Sequence, residues 1–508
     1  MKNPFELTRR GLLGSAAATA ALAGLSTGLP ALAQSRGDTL RIGAVGSSID
    51  TLDPHRNMAQ VIDILRYANL FDGLATLGPD GTPEYALAES ITPDASATLW
   101  TVRLRPNVSL HDGRVFSAQD VLFSVARIRD KEHPTQGAAL LEFLDAADIV
   151  ATDDLTVEFR LARPYGPFLE LWASHYLRMV PQGFDPEAPI GTGAYRHVSF
   201  TRARESVFEA FPDHFRGAPA IRSLVITSIA DPVAQMNALR GGQIDVAFDM
   251  PLSEARIVEA DPALSLLRNP TPLSLPIYMR ADKPPFDDPR LRRAFQLIPD
   301  RDAMVRIALA GNGEAGNDCQ GRGPLPGCGG SGIAQRTQDI ATAKALLAEA
   351  GMTGMSIELA TTNGTNGMVE CAQVFAEQAR LAGVEVKVLN MDPSTYLARY
   401  QEWTFGVDFF SADFLSVVKR TLLPGGALNC AHWVNQDFID LYDQAITTVD
   451  PAARCEIMAR MRQIEHDDGA NILWGFSDTL NAHAPHIRGI EPYAVESIFY
   501  NVRKLSLG

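Results

Sequence analysis

Apolar and polar residues alternate through "LWTVRLR" (Leu99–Arg105), a period of two that predicts a strand with one buried face. Turn dipeptides follow at Pro106-Asn107 and Asp112-Gly113, and then the period changes. Val121, Leu122, Val125 and Ile128 recur at helical spacing behind Ser117, an expected N-cap, with Asp120 as the acid of the first turn. Further on, "SLVITSI" (Ser223–Ile229) is an apolar run of buried-strand length. Asp231-Pro232 opens a helix carrying Met236, Ala238 and Leu239, Gly241-Gly242 stops it, and "IDVAFDM" returns as a strand. The plan recurs after Gly354: strand "MSIELAT", helix "MVECAQVFAEQARLAGV", strand "EVKVLN", helix "STYLARYQEW", strand "GVDFF". Short strands alternating with helices predict an α/β chain whose parallel sheets are covered by helices. Between the two regions lies "PIYMRADKPPFDDPRLRRAFQLIPDRDAMVRIAL", proline-broken and then helical, as a crossover between lobes would be.

The ends change the picture. Thr8-Arg9-Arg10 precedes an Ala/Gly/Leu-rich run, and Ala31-Leu32-Ala33 supplies the small-x-small pattern of a cleavage site. Residues 1–33 are therefore expected to be a twin-arginine export signal, with the rest of the chain soluble in the periplasm. No later stretch is long and apolar enough to be expected to span a bilayer. The chain carries −15; removing residues 1–33, which carry +2, leaves −17. An acidic surface with no basic tract argues against nucleic acid as a partner. The length allows about three domains.

Candidate chemistry is sparse. There is no H-E-x-x-H, Walker A or G-x-S-x-G pattern. "GNGEAG" (Gly311–Gly316) matches G-x-G-x-x-G but follows a helix, so the dinucleotide reading fails its context. His111-Asp112 lies in a turn between strand and helix with no third catalytic group nearby, which makes it structural. His432, His483 and His486 form no metal-ligand spacing, and neither metal nor cofactor is expected. The five cysteines contain no C-x-x-C. Cys319 and Cys328 flank a loop short enough for a disulfide; two separate buried thiols are the alternative.

"SIDTLDPH", "LFDGLATLGPDGTPEYALAES", "LWTVRLRPNVSLHDGRVFSAQDVLFSVARI", "PIGTGAYR", "DPVAQMNALRGGQIDVAF", "KPPFDDPRLRRAF" and "WVNQDFIDLYDQAITTVDPAARCEIM" occur in that order. Together they resemble the large extracytoplasmic solute-binding proteins of ABC importers for peptides, nickel complexes and related solutes (family 5). The resemblance implies a type II periplasmic-binding-protein fold: two lobes on a hinge, closing over a ligand, monomeric, with a membrane ABC permease as partner and no catalysis. It implies a first lobe of residues 38–78, 190–276 and 478–508, an inserted extra domain at 79–189, which takes in the His-Asp-Gly turn, and a second lobe at 277–477.

Three loops at strand carboxyl ends then become candidate ligand contacts: "TTNGTNG", "NMDPS" and "SADF". In peptide-binding relatives an aspartate in the last of these holds the ligand's amino group, and Asp413 matches it; a turn or N-cap role is the alternative. Dipeptide-selective relatives place an arginine in the loop matching Thr361–Gly367, which here is uncharged. Arg280 is a candidate for carboxylate binding, Asn363, Thr365 and Asn366 for hydrogen bonds to a polar ligand, and Trp403, Trp433 and Trp474 for packing. The expected solute is a peptide or amino-acid derivative. A nickel chelate or haem is the runner-up, and a secreted enzyme exported already folded is the reading from another class.

Overall fold

The computed structural model describes residues 38–56, 60–144 and 148–508, so the export signal read at residues 1–33 lies outside the described residues. Three sheets carry the fold. The first is built on Thr39–Val45, whose Leu40, Ile42 and Ala44 are buried. This strand runs parallel to Ser223–Ile229 on one side and Val246–Met250 on the other. The full order is Ser265–Asn269, Thr479–His483, Val246–Met250, Thr39–Val45, Ser223–Ile229, Glu205–Ala210, Tyr195–Thr201. Helix Pro232–Arg240 connects the two flanking parallel strands; Asp231 accepts the Ala234 N–H at 2.9 Å, and Pro232 sits where a helix needs no N–H.

Ala88–Pro93, Leu99–Leu104, Thr156–Arg160 and Ile149–Asp153 form a separate antiparallel sheet. Trp100, Val102 and Leu104 share a core with Val121, Val125 and Ile128 of helix Ala118–Ile128. Asp120 accepts the Ser117 N–H at 2.8 Å and so fixes the helix start. His111 joins this sheet to the first. Its Nδ1 accepts the Gly191 N–H at 3.1 Å, which leaves the proton on Nε2 to donate to Gly193 O at 3.0 Å. Burial pushes the imidazole down to about 4, so it stays neutral and holds both bonds.

The third sheet runs Glu385–Met391, Ser356–Thr362, Phe405–Val407, Ile277–Met279, Asn471–Ile472. Helices Pro289–Leu297, Arg301–Ala308, Ile340–Glu349 and Met368–Leu381 share its core, and Phe414–Thr421, Gln436–Thr447 and Pro451–Asp468 build a second one beside it. Two connections link this lobe to the first, out through residues 270–276 and back through 473–478. They lie together: Ser477 N–H donates to Leu273 O at 2.8 Å and the Thr271 hydroxyl to Ser477 O at 3.0 Å. This is a two-lobed α/β fold on a double-stranded hinge.

The disulfide expectation is corrected. Cys328 bonds Cys455, not Cys319, with Cα atoms 5.5 Å apart. Cys319 turns inward beside Asp318, Arg462 and Glu465, where burial pushes its thiol up to about 12, while Cys328 faces helix Pro451–Asp468. Cys319, Cys371 and Cys430 are free and buried.

Candidate functional site: the cleft between the lobes

The hinge strands fix which edge of each sheet faces the other lobe. In the first sheet Ser265–Asn269 ends at the hinge, Thr479–His483 begins there, and Val246–Met250 runs antiparallel to the latter. The carboxyl ends of Val246–Met250 and of its parallel neighbours Thr39–Val45 and Ser223–Ile229 therefore face the second lobe. In the second lobe Ile277 leaves the hinge opposite Val407, so the carboxyl ends of Phe405–Val407, Ser356–Thr362 and Glu385–Met391 face back. Two edges of the kind that binds ligands in open α/β sheets thus oppose one another.

Each edge presents a carboxyl without a cation. Asp408 follows Val407 and is 3 % exposed. Its oxygens accept from the Tyr400 hydroxyl, from the Phe409 N–H at 2.8 Å and, at 3.6 Å, from the Cys430 thiol. Burial outweighs these bonds and pushes the carboxyl up to about 7. On the other edge Asp249 is exposed, yet protein surrounds it closely enough for desolvation to push its carboxyl up to about 6. Both facts hold for a group lining an enclosed cleft. The strand ends and the loops after them also carry exposed apolar side chains: Val45 is 43 %, Ile49 57 % and Phe409 44 % exposed.

The sequence candidates are distributed unevenly about this cleft. Asn363, Thr365 and Asn366 lie on the loop at its edge, the two asparagines exposed and Thr365 half-buried. Gly367 ends that loop at φ 91°, against Leu275 of the hinge. Asp413 caps helix Phe414–Thr421, accepting the Ser416 N–H at 3.0 Å. After burial, its charge is the main influence raising the Tyr165 and Tyr442 phenols, so it stands where the inserted domain meets the second lobe.

Arg280 and Trp403 lie at the opposite end of the third sheet. Arg280 N–H donates to Thr404 O at 2.9 Å, and its guanidinium grips Asp282 at 2.7 and 2.8 Å as well as Gln401 O. Trp403 packs between Tyr396 and the Arg399 guanidinium beside a groove of about 420 Å³. Trp433 and Trp474 are core residues, 2 % and 0 % exposed, with no ring face left for a solute.

Sequence reading passed over Asp249, Asp408, Val45, Ile49 and Phe409. The available signal was an aspartate inside "VAFDM" and another directly after the "FGV" strand, each interrupting an apolar run.

The lobes also touch away from the hinge. Gly166 N–H donates to Ile446 O at 2.6 Å, Arg454 pairs with Glu170, and Lys419 with Glu142. These contacts bring Glu142, Gly166 and Glu170 against the second lobe.

Two lobes of α/β sheet on a double-stranded hinge, with the carboxyl ends of their parallel strands opposed, define a two-lobed solute-binding protein. The model of bacterial extracellular solute-binding proteins, family 5 (middle region), matches residues 82–414, and the chain belongs to that family. It is 26 % identical over 367 residues to the glutathione-binding protein GsiB of Pectobacterium atrosepticum, covering 70 % of this chain and 69 % of that one. It is 26 % identical over 440 residues to di/tripeptide-binding protein 2 of Pseudomonas aeruginosa, covering 78 % and 82 %. The solved structure of the ABC transporter substrate-binding protein CtaP from Listeria monocytogenes shares the fold with a TM-score of 0.80 at 21 % identity, covering 93 % of this chain and 99 % of that one.

Proposed function

We propose that this chain is the periplasmic binding component of an ABC importer, exported through the twin-arginine signal read at residues 1–33. It takes a peptide or amino-acid-derived solute into the cleft and delivers it to the membrane permease. It performs no chemistry on the solute. The observation that carries this reading is the pair of opposed sheet edges, each with an uncompensated carboxyl beside exposed apolar side chains. Such a lining suits a small solute with an ammonium group and apolar side chains. The relatives named for glutathione and di- and tripeptides support the same class.

Within this reading the ammonium anchor is Asp408. Asp413, the sequence candidate, is an exposed helix cap, whereas Asp408 is buried at the strand end and pairs with no cation among the described residues. A charge-assisted hydrogen bond in a closed cleft contributes about 1.5–3 kcal/mol, and stranding the ligand's charge costs more. Calorimetric titration of Ala-Ala and its N-acetyl form against wild type, Asp408→Asn and Asp413→Asn tests both points. Acetylation and Asp408→Asn should each weaken binding by about two decades or more, Asp413→Asn by less than about threefold. Equal affinity for the free and acetylated dipeptides would sink the ammonium reading. A large loss in Asp413→Asn alone would return the anchor to Asp413.

A further inference from the structure

Asp249 sits where the first sheet breaks its own register. Ala247 pairs with Ala482 and Met250 with Leu480, so Phe248 and Asp249 together oppose the single residue Asn481. That is a β-bulge, a device that re-aims a side chain at a sheet edge. Asp249 adopts φ 54°, left-handed backbone that aspartate and asparagine tolerate better than most residues. Two buried amides hold the distortion. Asn481 Oδ1 accepts the Asp249 N–H at 2.9 Å, and Gln235 Nε2 donates to Phe248 O at 2.7 Å and to Gly43 O at 2.9 Å. Both amide side chains are fully buried. A strained residue persists where its surroundings over-determine it, and such residues cluster at ligand clamps.

The bulge projects a carboxyl that nothing in the fold neutralises. Asp249 forms no ion pair among the described residues, and desolvation is the sole influence on its titration. The Tyr500 phenol lies close enough to feel its charge. Arg178 and Glu496 adjoin the same phenol in a small cavity of about 30 Å³, and neither bridges to Asp249. At the hinge, Arg322 is held by Asp478 at 2.7 Å and Arg268 by Asn312 at 3.0 Å and by Glu259. Asp249 and Asp408 thus stand on the two opposed edges, each one strand away from a hinge strand.

We infer that Asp249 is a second ligand-contacting carboxylate, facing Asp408 across the cleft, and that it selects solutes bearing a second cationic group, an amine or guanidinium, at the end away from the first. This rests on the peptide-like reading and adds the charge class of the solute. A neutral solute would leave Asp249 desolvated and unpaired in the closed state; a dication compensates one carboxyl from each lobe and so favours closure.

The test uses a charged and a neutral isostere. Arginine and citrulline differ in one nitrogen and one charge, so Ala-Arg and Ala-citrulline are titrated against the full mature chain, with Ala-Ala as reference, in wild type and Asp249→Asn. Asparagine tolerates the left-handed backbone and keeps the shape, and circular dichroism and thermal melting confirm the fold. Wild type should bind Ala-Arg about tenfold or more tighter than Ala-citrulline, and Asp249→Asn should remove that preference. Binding of both isosteres with equal affinity by wild type overturns the inference and leaves the peptide reading standing, as does a preference that survives in Asp249→Asn. If none of the three dipeptides binds, the peptide reading fails and the inference falls with it.

Discussion

A carboxyl held near 7 titrates in the range where the protein works. The raised value of Asp408 has a definite sign in stability: its folded value of about 7 stands above its unfolded value of about 3.9, so the fold favours the protonated form. That contribution is complete below about pH 4 and is lost as pH rises through about 7. Asp408→Asn mimics the protonated state. Melting of the unliganded variant should therefore match wild type at or below about pH 4 and exceed it increasingly towards pH 8; a variant that melts lower at pH 8 would show that the ionised carboxylate is structurally required. Binding runs the other way. An ammonium pairs with the ionised form, so affinity for a dipeptide should fall by up to about tenfold per pH unit below 7, with a proton released on binding. The residue that costs stability is the one that supplies affinity.

At the scale of elements, the long-range disulfide is the clearest test of how the second lobe is tied together. Cys328–Cys455 closes a loop of 127 residues and pins the connection before helix Ile340–Glu349 onto helix Pro451–Asp468. Chain entropy alone gives roughly 4–5 kcal/mol for so long a loop, and native bonds commonly deliver about 2–4. Reductant should lower the melting point of wild type and leave Cys455→Ser, already lowered, unchanged; a wild type indifferent to reductant would remove the bond from any stabilising role. Why the sequence pointed to Cys319 instead is plain from the packing. Short separation favours pairing only where both thiols face one another, and Cys319 is directed inward by the Arg301–Asp318–Arg336 ion cluster next to it. Elements governed by periodicity and caps were legible: Ser117, Asp231 and the alternating Leu99–Leu104 strand all stand as the pattern requires. The helix expected over "STYLARYQEW" stops at Ala398, which leaves Trp403 in a connection, and the strand expected over "GVDFF" ends at Val407. That three-residue difference is why Asp408 was read as strand and Asp413 as the exposed edge residue. Asp249 was hidden for another reason: a bulge is a relation between two strands far apart in sequence, and no local pattern encodes it.

For the whole molecule the open question is how firmly closure is held without solute. Exposed ion pairs contribute about 0–1 kcal/mol each, so Lys419–Glu142 and the half-buried Arg454–Glu170 together bias the equilibrium without locking it. Glu142→Gln with Glu170→Gln should raise the unliganded radius of gyration in small-angle scattering and weaken dipeptide binding by about fivefold, with saturating Ala-Ala restoring compactness. High salt should mimic the double variant in wild type. Identical scattering curves for the two proteins, with and without Ala-Ala, would show that the contacts do not act as a latch.

The chain order of the first sheet carries a consequence for how the molecule is made. Thr479–His483, from the last thirty residues, lies between Val246–Met250 and Ser265–Asn269. Until Thr479–His483 has left the ribosome, that sheet has a missing slat, with open N–H and C=O groups on both sides of the gap. Early domains such as the His111 sheet can form on the nascent chain, but the lobe that begins at residue 39 must wait for its end, and such long-range closure is slow. A prematurely terminated copy is thus left with two unpaired strand edges, a shape that chaperones and proteases recognise and a completed copy does not display. The first sheet is thus completed only when a strand synthesised after the whole second lobe arrives.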